Sequence, residues 1–301
     1  MRKLVLVICC WVCSLVVMAN DIRYEDYIYE NNITTVQFYK NEDEMSFPAL
    51  YLNAGGKLTL EFDELAEDPS DFYVTFVNCD ADWKPSTFIP TEFYSGLSTD
   101  RIIQFRHSQN TLVKYMHYDY SFPQPGAGFR RSGNYLLKVY RDNDEDQLVL
   151  TRRFVVVDRK IMVQPNLGFT PNVSERFRLQ TVNFNLNLNQ FDALNIQPLR
   201  DIEIRILQNG RWDHFAKITQ PTYIYPDHFE YSLNANNDFA GGNEFRKVDI
   251  RSTRFTSQWT EFQRCNDVCE AHQMLEKPRT SNQYFTNPDF NGNFFIKVHE
   301  F

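Results

Sequence analysis

Phe72-Tyr73-Val74-Thr75-Phe76-Val77-Asn78-Cys79-Asp80-Ala81-Asp82-Trp83-Lys84-Pro85 runs without a break from aromatic, β-branched and Thr residues into an acidic turn closed by a tryptophan. Such a run suits a strand buried on both faces, and residues 78–82 supply side chains that turn a backbone. The stretch predicts the central strand of a β-sandwich, with Trp83 folded back over the edge of the core. Cys79, Asp80, Asp82 and Trp83 read as a structural turn. Asp80 and Asp82 with Asn78 offer oxygen ligands, but too few for a calcium site.

The neighbouring sequence repeats the strand pattern. Residues 33–39 read as a strand, and 57–62 alternate strictly, with Leu58, Leu60 and Phe62 inward. Residues 47–50 mark an edge strand and 53–56 a turn. A long polar stretch, 84–111, reads as loop with a short piece of structure at 102–105, and loops of that length in compact domains often carry function. Residues 115–123 are aromatic at nearly every second position. Ser132-Gly133-Asn134-Tyr135 opens the next strand at Tyr135, in a sequence context consistent with a tyrosine corner. The acidic run 142–146 is a hairpin tip, and 148–157 return as a long strand. Strands and turns at this spacing predict an immunoglobulin-like β-sandwich over 20–158.

At residues 158–160 the pattern restarts. Residues 182–189 alternate cleanly, 202–207 follow, and Gln208-Asn209-Gly210-Arg211 is an Asn-Gly hairpin turn. Further strands are expected at 223–225, 229–231, 245–251 and 292–298. The sequence stops at Phe301 without a returning strand, so a second β-rich domain over 159–301 is expected to be incomplete at its C-terminus. The expected fold class is all-β, two consecutive β-sandwich domains.

The first residues differ in kind. Arg2 and Lys3 precede apolar runs at 4–12 and 15–19, with Val17 and Ala19 at small-residue positions, which predicts a secretory signal peptide cleaved near Ala19. Cleavage leaves 282 of the 301 residues and lowers the basic count from 31 to 29, against 39 acidic. That surplus disfavours sequence-independent nucleic-acid binding and adsorption to anionic lipid. Cys79, Cys265 and Cys269 remain. If residues 258–275 are helical, Cys265 and Cys269 are poorly placed for a disulfide, and with His272 they make a weak, irregularly spaced metal set.

No Gly-x-Ser-x-Gly, His-Glu-x-x-His, phosphate-loop or dinucleotide motif is present. The paired glycines of Gly241-Gly242-Asn243-Glu244-Phe245-Arg246 permit a tight turn, and Glu244 and Arg246 project from one side of a strand. Asn243, Glu244 and Arg246 are therefore candidate partner contacts as well as candidates for a plain surface ion pair.

Asn78-Cys79-Asp80-Ala81-Asp82-Trp83, Ser132-Gly133-Asn134-Tyr135, Thr151-Arg152-Arg153-Phe154 and Gly241-Gly242-Asn243-Glu244-Phe245-Arg246, in this order after a signal peptide, resemble the plug protein family of the Bacteroidota type IX secretion system. The likeness spans nearly the whole mature chain. Two departures stand out: Asn78 where the family commonly has His, and an end at Phe301 where family members run on. The resemblance implies a non-catalytic periplasmic plug, without cofactor. It would dock on and block the periplasmic mouth of the translocon barrel in the outer membrane, with no direct membrane insertion. Loops 84–111 and 234–246 are the candidate contact patches. Two other classes remain open on the residues alone: a carbohydrate-binding sandwich that displays coplanar exposed rings, and a periplasmic hydrolase built on converging carboxylates.

Overall fold

In the computed structural model the described residues are 21–176, 178–188, 197–233, 235–240, 260–265 and 268–275. The leader, the strands expected at 245–251 and 292–298, and Asn243, Glu244 and Arg246 lie outside them. The chain divides into two compact units, Met1–Arg159 and Lys160–Phe301.

The first unit is built from β1 (Tyr27–Ile28), β2 (Ile33–Lys40), β3 (Ala49–Tyr51), β4 (Leu58–Glu64), β5 (Phe72–Cys79), the short helix α1 (Pro90–Phe93), β6 (Thr99–Arg101), β7 (Gln104–His107), β8 (Met116–Phe122), β9 (Gly133–Arg141) and β10 (Leu148–Val157). One sheet runs β1-β10-β9-β5-β6, with β3 added to β10; the other runs β2-β4-β8-β7. All pairings are antiparallel except that of β3 with β10. The alternation of Leu58, Leu60 and Phe62 does what a strand period of two requires, since all three are fully buried. They and Tyr118 and Phe122 of β8 face Phe72 and Phe76 of β5 and Phe154 of β10 in one core. The layers are locked by ring contacts: Phe62 lies edge-on to Phe72 at 5.2 Å, Phe76 is 4.8 Å from Phe122, and Phe122 is 5.2 Å from Phe154. Each such pair adds about 1 kcal/mol beyond its area burial.

Three expectations are corrected. The 72–79 strand is not the middle of its sheet: β9 is, and β5 lies between β9 and the three-residue β6. The run on β5 is buried on both faces or nearly so, as expected: Phe72, Val74, Phe76 and Asn78 are buried on one face and Thr75 and Cys79 on the other, where half-buried Tyr73 stacks on Tyr140 at 6.1 Å. Residues 84–111 hold more structure than the short piece expected at 102–105, which overlaps β7: they also contain α1 and β6. Between β6 and β7 the chain crosses from one sheet to the other at buried Ile102, whose N–H donates to the Phe72 carbonyl at 2.9 Å. Strands of three and four residues are too short to show a period. Finally, the segment considered as a helix at 258–275 contains a hairpin, β18 (Thr260–Cys265) and β19 (Val268–Gln273). Its register sets Cys265 opposite Val268 and Cys269 opposite Arg264.

In the second unit, β11 (Met162–Phe169), β12 (Leu179–Asn187), β15 (Tyr223–Ile224) and β16 (His228–Tyr231) form a sheet in the order β11-β12-β16-β15, with β17 (Asp238–Ala240) also on β12. The helical turn α2 (Pro198–Asp201) precedes a hairpin of β13 (Ile204–Leu207) and β14 (Phe215–Ile218). The connection, residues 208–214, opens with the expected Asn-Gly turn, Asn209 at φ 57° and Gly210 at φ 69°, closed by the Arg211 N–H donating to the Gln208 carbonyl at 3.1 Å. Phe184, Leu186 and Leu188 of the alternating segment pack with Ile218, Phe229 and Tyr231.

Candidate functional site

Three of the four sequence motifs converge at one end of the first unit. Cys79 ends β5 opposite Asn134, and Gly133 opposes Val156 across β9 and β10. Beyond Cys79 the Asp80 carboxylate accepts the N–H groups of Asp82 (2.8 Å) and Lys84 (2.9 Å), an Asx turn made by its own side chain. The turn is closed by the Asp80 N–H donating to the Lys84 carbonyl at 2.8 Å. It holds Trp83 at φ 62°, a backbone region that a bulky residue enters only when its surroundings fix it. The indole is 6% exposed and lies under the Arg153 guanidinium, 4.5 Å from ring to Cζ. The Asn134 side chain donates to the Asp80 carbonyl at 2.9 Å. Tyr135 donates its hydroxyl to the Arg131 carbonyl four residues back at 2.8 Å and stacks on Phe154 at 5.4 Å.

These motifs also hold the first described residues against the sheet. The Arg153 side chain donates through Nε to the Tyr24 carbonyl at 2.7 Å, and Thr151 Oγ1 donates to the Glu25 carbonyl at 2.7 Å. Asp26 Oδ1 accepts the Arg153 N–H at 2.6 Å. The β10 edge is thereby covered along its length: β1 pairs with Leu150 and Thr151, Asp26 takes Arg153, and β3 pairs with Val155, Val156 and Val157. An open edge of that length would template pairing with other chains. No sequence reading pointed to residues 24–28 here; their two-residue strand carries no period.

The turn offers little reactive chemistry. Burial, with Asp80 beside it, pushes the Cys79 thiol up to about 12, so at neutral pH it stays protonated and unreactive. Among the described residues no group of three or more His, Cys, Asp or Glu stands ready to hold a metal.

A cleft of about 770 Å³ lies over the segment expected to be a loop, bounded by Tyr94, Leu97, Asp100, Ile103, Tyr120 and Gln124. Tyr120 donates to Asp100 Oδ2 at 3.1 Å, and burial followed by the Asp100 charge pushes its phenol far above the ordinary range. The phenol is thus a donor and not a base. Ser95 Oγ donates to the Gly128 carbonyl and Ser121 Oγ bonds Thr59 Oγ1, so both hydroxyls are engaged, and the lining also carries Lys57, Asp100 and Asp119. The cleft is a recess with polar contacts. Of its lining, Ile103 is 74% and Leu97 72% exposed, and the β7–β8 hairpin tip further along the chain carries Leu112 at 99% and Val113 at 62%. Most of the large exposed apolar side chains of the first unit fall between Phe88 and Val113. The exposed rings Tyr223 and Tyr225 of the second unit are tilted by 47° and do not make a flat sugar platform.

Residues 33–158 match the family model described as Type 9 secretion system plug protein 1st domain. The crystal structure of a hypothetical protein from Parabacteroides merdae ATCC 43184 is similar at 26% identity, with a TM-score of 0.81 over 91% of this chain and 69% of that one. No curated protein matches. The Asx turn, the Gly133-Asn134-Tyr135 strand opening and the Arg152-Arg153 pair all fall inside the matched span, so the similarity to the type 9 secretion system plug protein 1st domain covers the first unit and supports that family for it.

Proposed function

We propose that the protein is a non-catalytic periplasmic plug that docks on the periplasmic end of the type IX translocon barrel in the outer membrane and occludes it. The observation that carries the reading is the plug-domain match over 33–158. The apolar leader at 1–19 supports export across the inner membrane with cleavage near Ala19. Occlusion asks for a stiff body and a fitting patch; it asks for no reaction. The aromatic core and the covered β10 edge supply stiffness, and the apolar surface between Phe88 and Val113 supplies area for a partner. Asn243, Glu244 and Arg246 belong to this proposal as a second contact. The test is affinity purification of a tagged copy from envelope solubilised under conditions that keep membrane complexes intact. Recovery of a large outer-membrane barrel is expected, and its absence sinks the reading.

A further inference from the structure

Residues 101–118, Arg-Ile-Ile-Gln-Phe-Arg-His-Ser-Gln-Asn-Thr-Leu-Val-Lys-Tyr-Met-His-Tyr, contain no Asp or Glu in a chain that carries 39 of them. The segment begins at the end of β6 and includes β7 and the first three residues of β8, so it forms the hairpin at the edge of the β2-β4-β8-β7 sheet. Its three permanent cations are Arg101, Arg106 and Lys114. Arg101 is taken by Asp71. Arg106 and Lys114 are exposed and have no carboxylate partner among the described residues. Between them stand Leu112 and Val113, 99% and 62% exposed, with Phe105 beside Arg106.

The hairpin tip is fixed. The Ser108 N–H donates to the Tyr115 carbonyl at 2.9 Å, the Tyr115 N–H donates back to Ser108 Oγ at 3.1 Å, and Asn110 takes the left-handed turn at φ 54°. An ordered tip that displays a fully exposed leucine gains nothing for the isolated fold. It does lower the ordering cost of binding. Apolar anchors ringed by cations complement a surface with an apolar recess and carboxylates at its rim, and the opposite charges would steer and orient the approach.

We infer that the β7–β8 hairpin is the docking element of the first unit and that its partner is an acidic, apolar-floored face on the periplasmic rim of the outer-membrane barrel. Leu112 and Val113 enter the recess, and Arg106 and Lys114 meet carboxylates around it. This inference rests on the plug reading.

The experiment uses the full chain, tagged, in envelope solubilised as above. Arg106→Glu with Lys114→Glu is expected to lower barrel recovery about ten-fold or more, because like charges then face each other. Leu112→Ser with Val113→Ser is expected to do the same, and raising salt should weaken the unaltered chain. Arg178→Glu, a charge reversal on the second unit, should leave recovery unchanged. Because the altered side chains are exposed, unfolding midpoints should match the parent, which separates lost docking from lost folding. A parallel arm sediments the chain with phosphatidylglycerol vesicles. Equal barrel recovery by parent and hairpin variants overturns the inference while the plug reading stands. Hairpin-dependent sedimentation with vesicles alongside equal barrel recovery also overturns it, in favour of a lipid surface. Failure of the unaltered chain to recover any barrel overturns both.

Discussion

Arg153→Ala is the perturbation that the shared end of the sheet answers most directly. The guanidinium donates through Nε to the Tyr24 carbonyl at 2.7 Å, with Nη2 reaching the same oxygen, and it covers the Trp83 ring at 4.5 Å. A charge-assisted hydrogen bond of this kind contributes about 1.5–3 kcal/mol, and a half-exposed cation–π contact about 1 kcal/mol. Part of the sum returns as the freed carbonyl and indole meet water, so a loss of about 2–3 kcal/mol is expected. Arg153→Lys should recover less than half, since an ammonium neither forks nor stacks as a guanidinium does. The assay is urea unfolding followed by tryptophan fluorescence, combined with amide hydrogen exchange over residues 24–29. Protection at Tyr29, whose N–H donates to the Val149 carbonyl at 2.9 Å, should fall together with the midpoint. An unchanged midpoint with full protection of that segment would refute the idea that Arg153 clasps it to β10.

At the other end of the sheet, Arg141 donates to Glu30 at 2.8 Å and to Glu64 at 2.7 Å, and Glu64 is 2% exposed. Arg141→Met strands that buried carboxylate and should cost about 3–5 kcal/mol, whereas adding Glu64→Gln to it should restore part of the loss in the same urea assay. Gly133 stands at φ 146°, and a Cβ there would sit 3.4 Å from the Asn78 side-chain nitrogen, so Gly133→Ala should cost about 1–3 kcal/mol by thermal unfolding. Burial pushes Cys79, Tyr118 and Tyr135 each up to about 12 in the folded chain, from ordinary values near 9.0 for the thiol and 10.0 for the phenols. Their contribution is fully present below the ordinary values and is lost as pH rises from there through about 12, because the unfolded chain releases those protons first. Denaturant midpoints should therefore hold steady from neutral pH to about pH 9 and then fall, and a thiol reagent at mildly alkaline pH should label Cys79 only after denaturant is added.

How much was legible in the sequence follows from element length and from where each signal is written. The alternation of Leu58, Leu60 and Phe62 gave β4, the acidic tip at 142–146 gave the β9–β10 hairpin, and Asn209-Gly210 gave the β13–β14 turn, each through a local rule. The short piece expected at 102–105 overlaps β7, whereas β6 stayed hidden because three residues show no period, and the edges of both strands are set by Ile102 crossing between sheets. The apolar run of β5 suggested the middle of the sheet, a place that pairing gives to β9; apolar content reports burial and not rank in a sheet. At the motif end the order of the residues was visible, but the contact of Arg153 with Trp83 joins positions seventy residues apart and no spacing rule contains it. The absence of carboxylates over 101–118 was in plain view, and it acquires meaning only once Leu112 is known to be exposed at an ordered tip.

The central claim is occlusion, and the permeability of the outer membrane tests it most directly. Deleting the gene for this protein is expected to raise sensitivity to a large hydrophilic antibiotic that an intact outer membrane excludes, and removing the translocon barrel as well should return sensitivity to the parental level. Unchanged sensitivity in the single deletion, with the barrel present and assembled, would contradict the account.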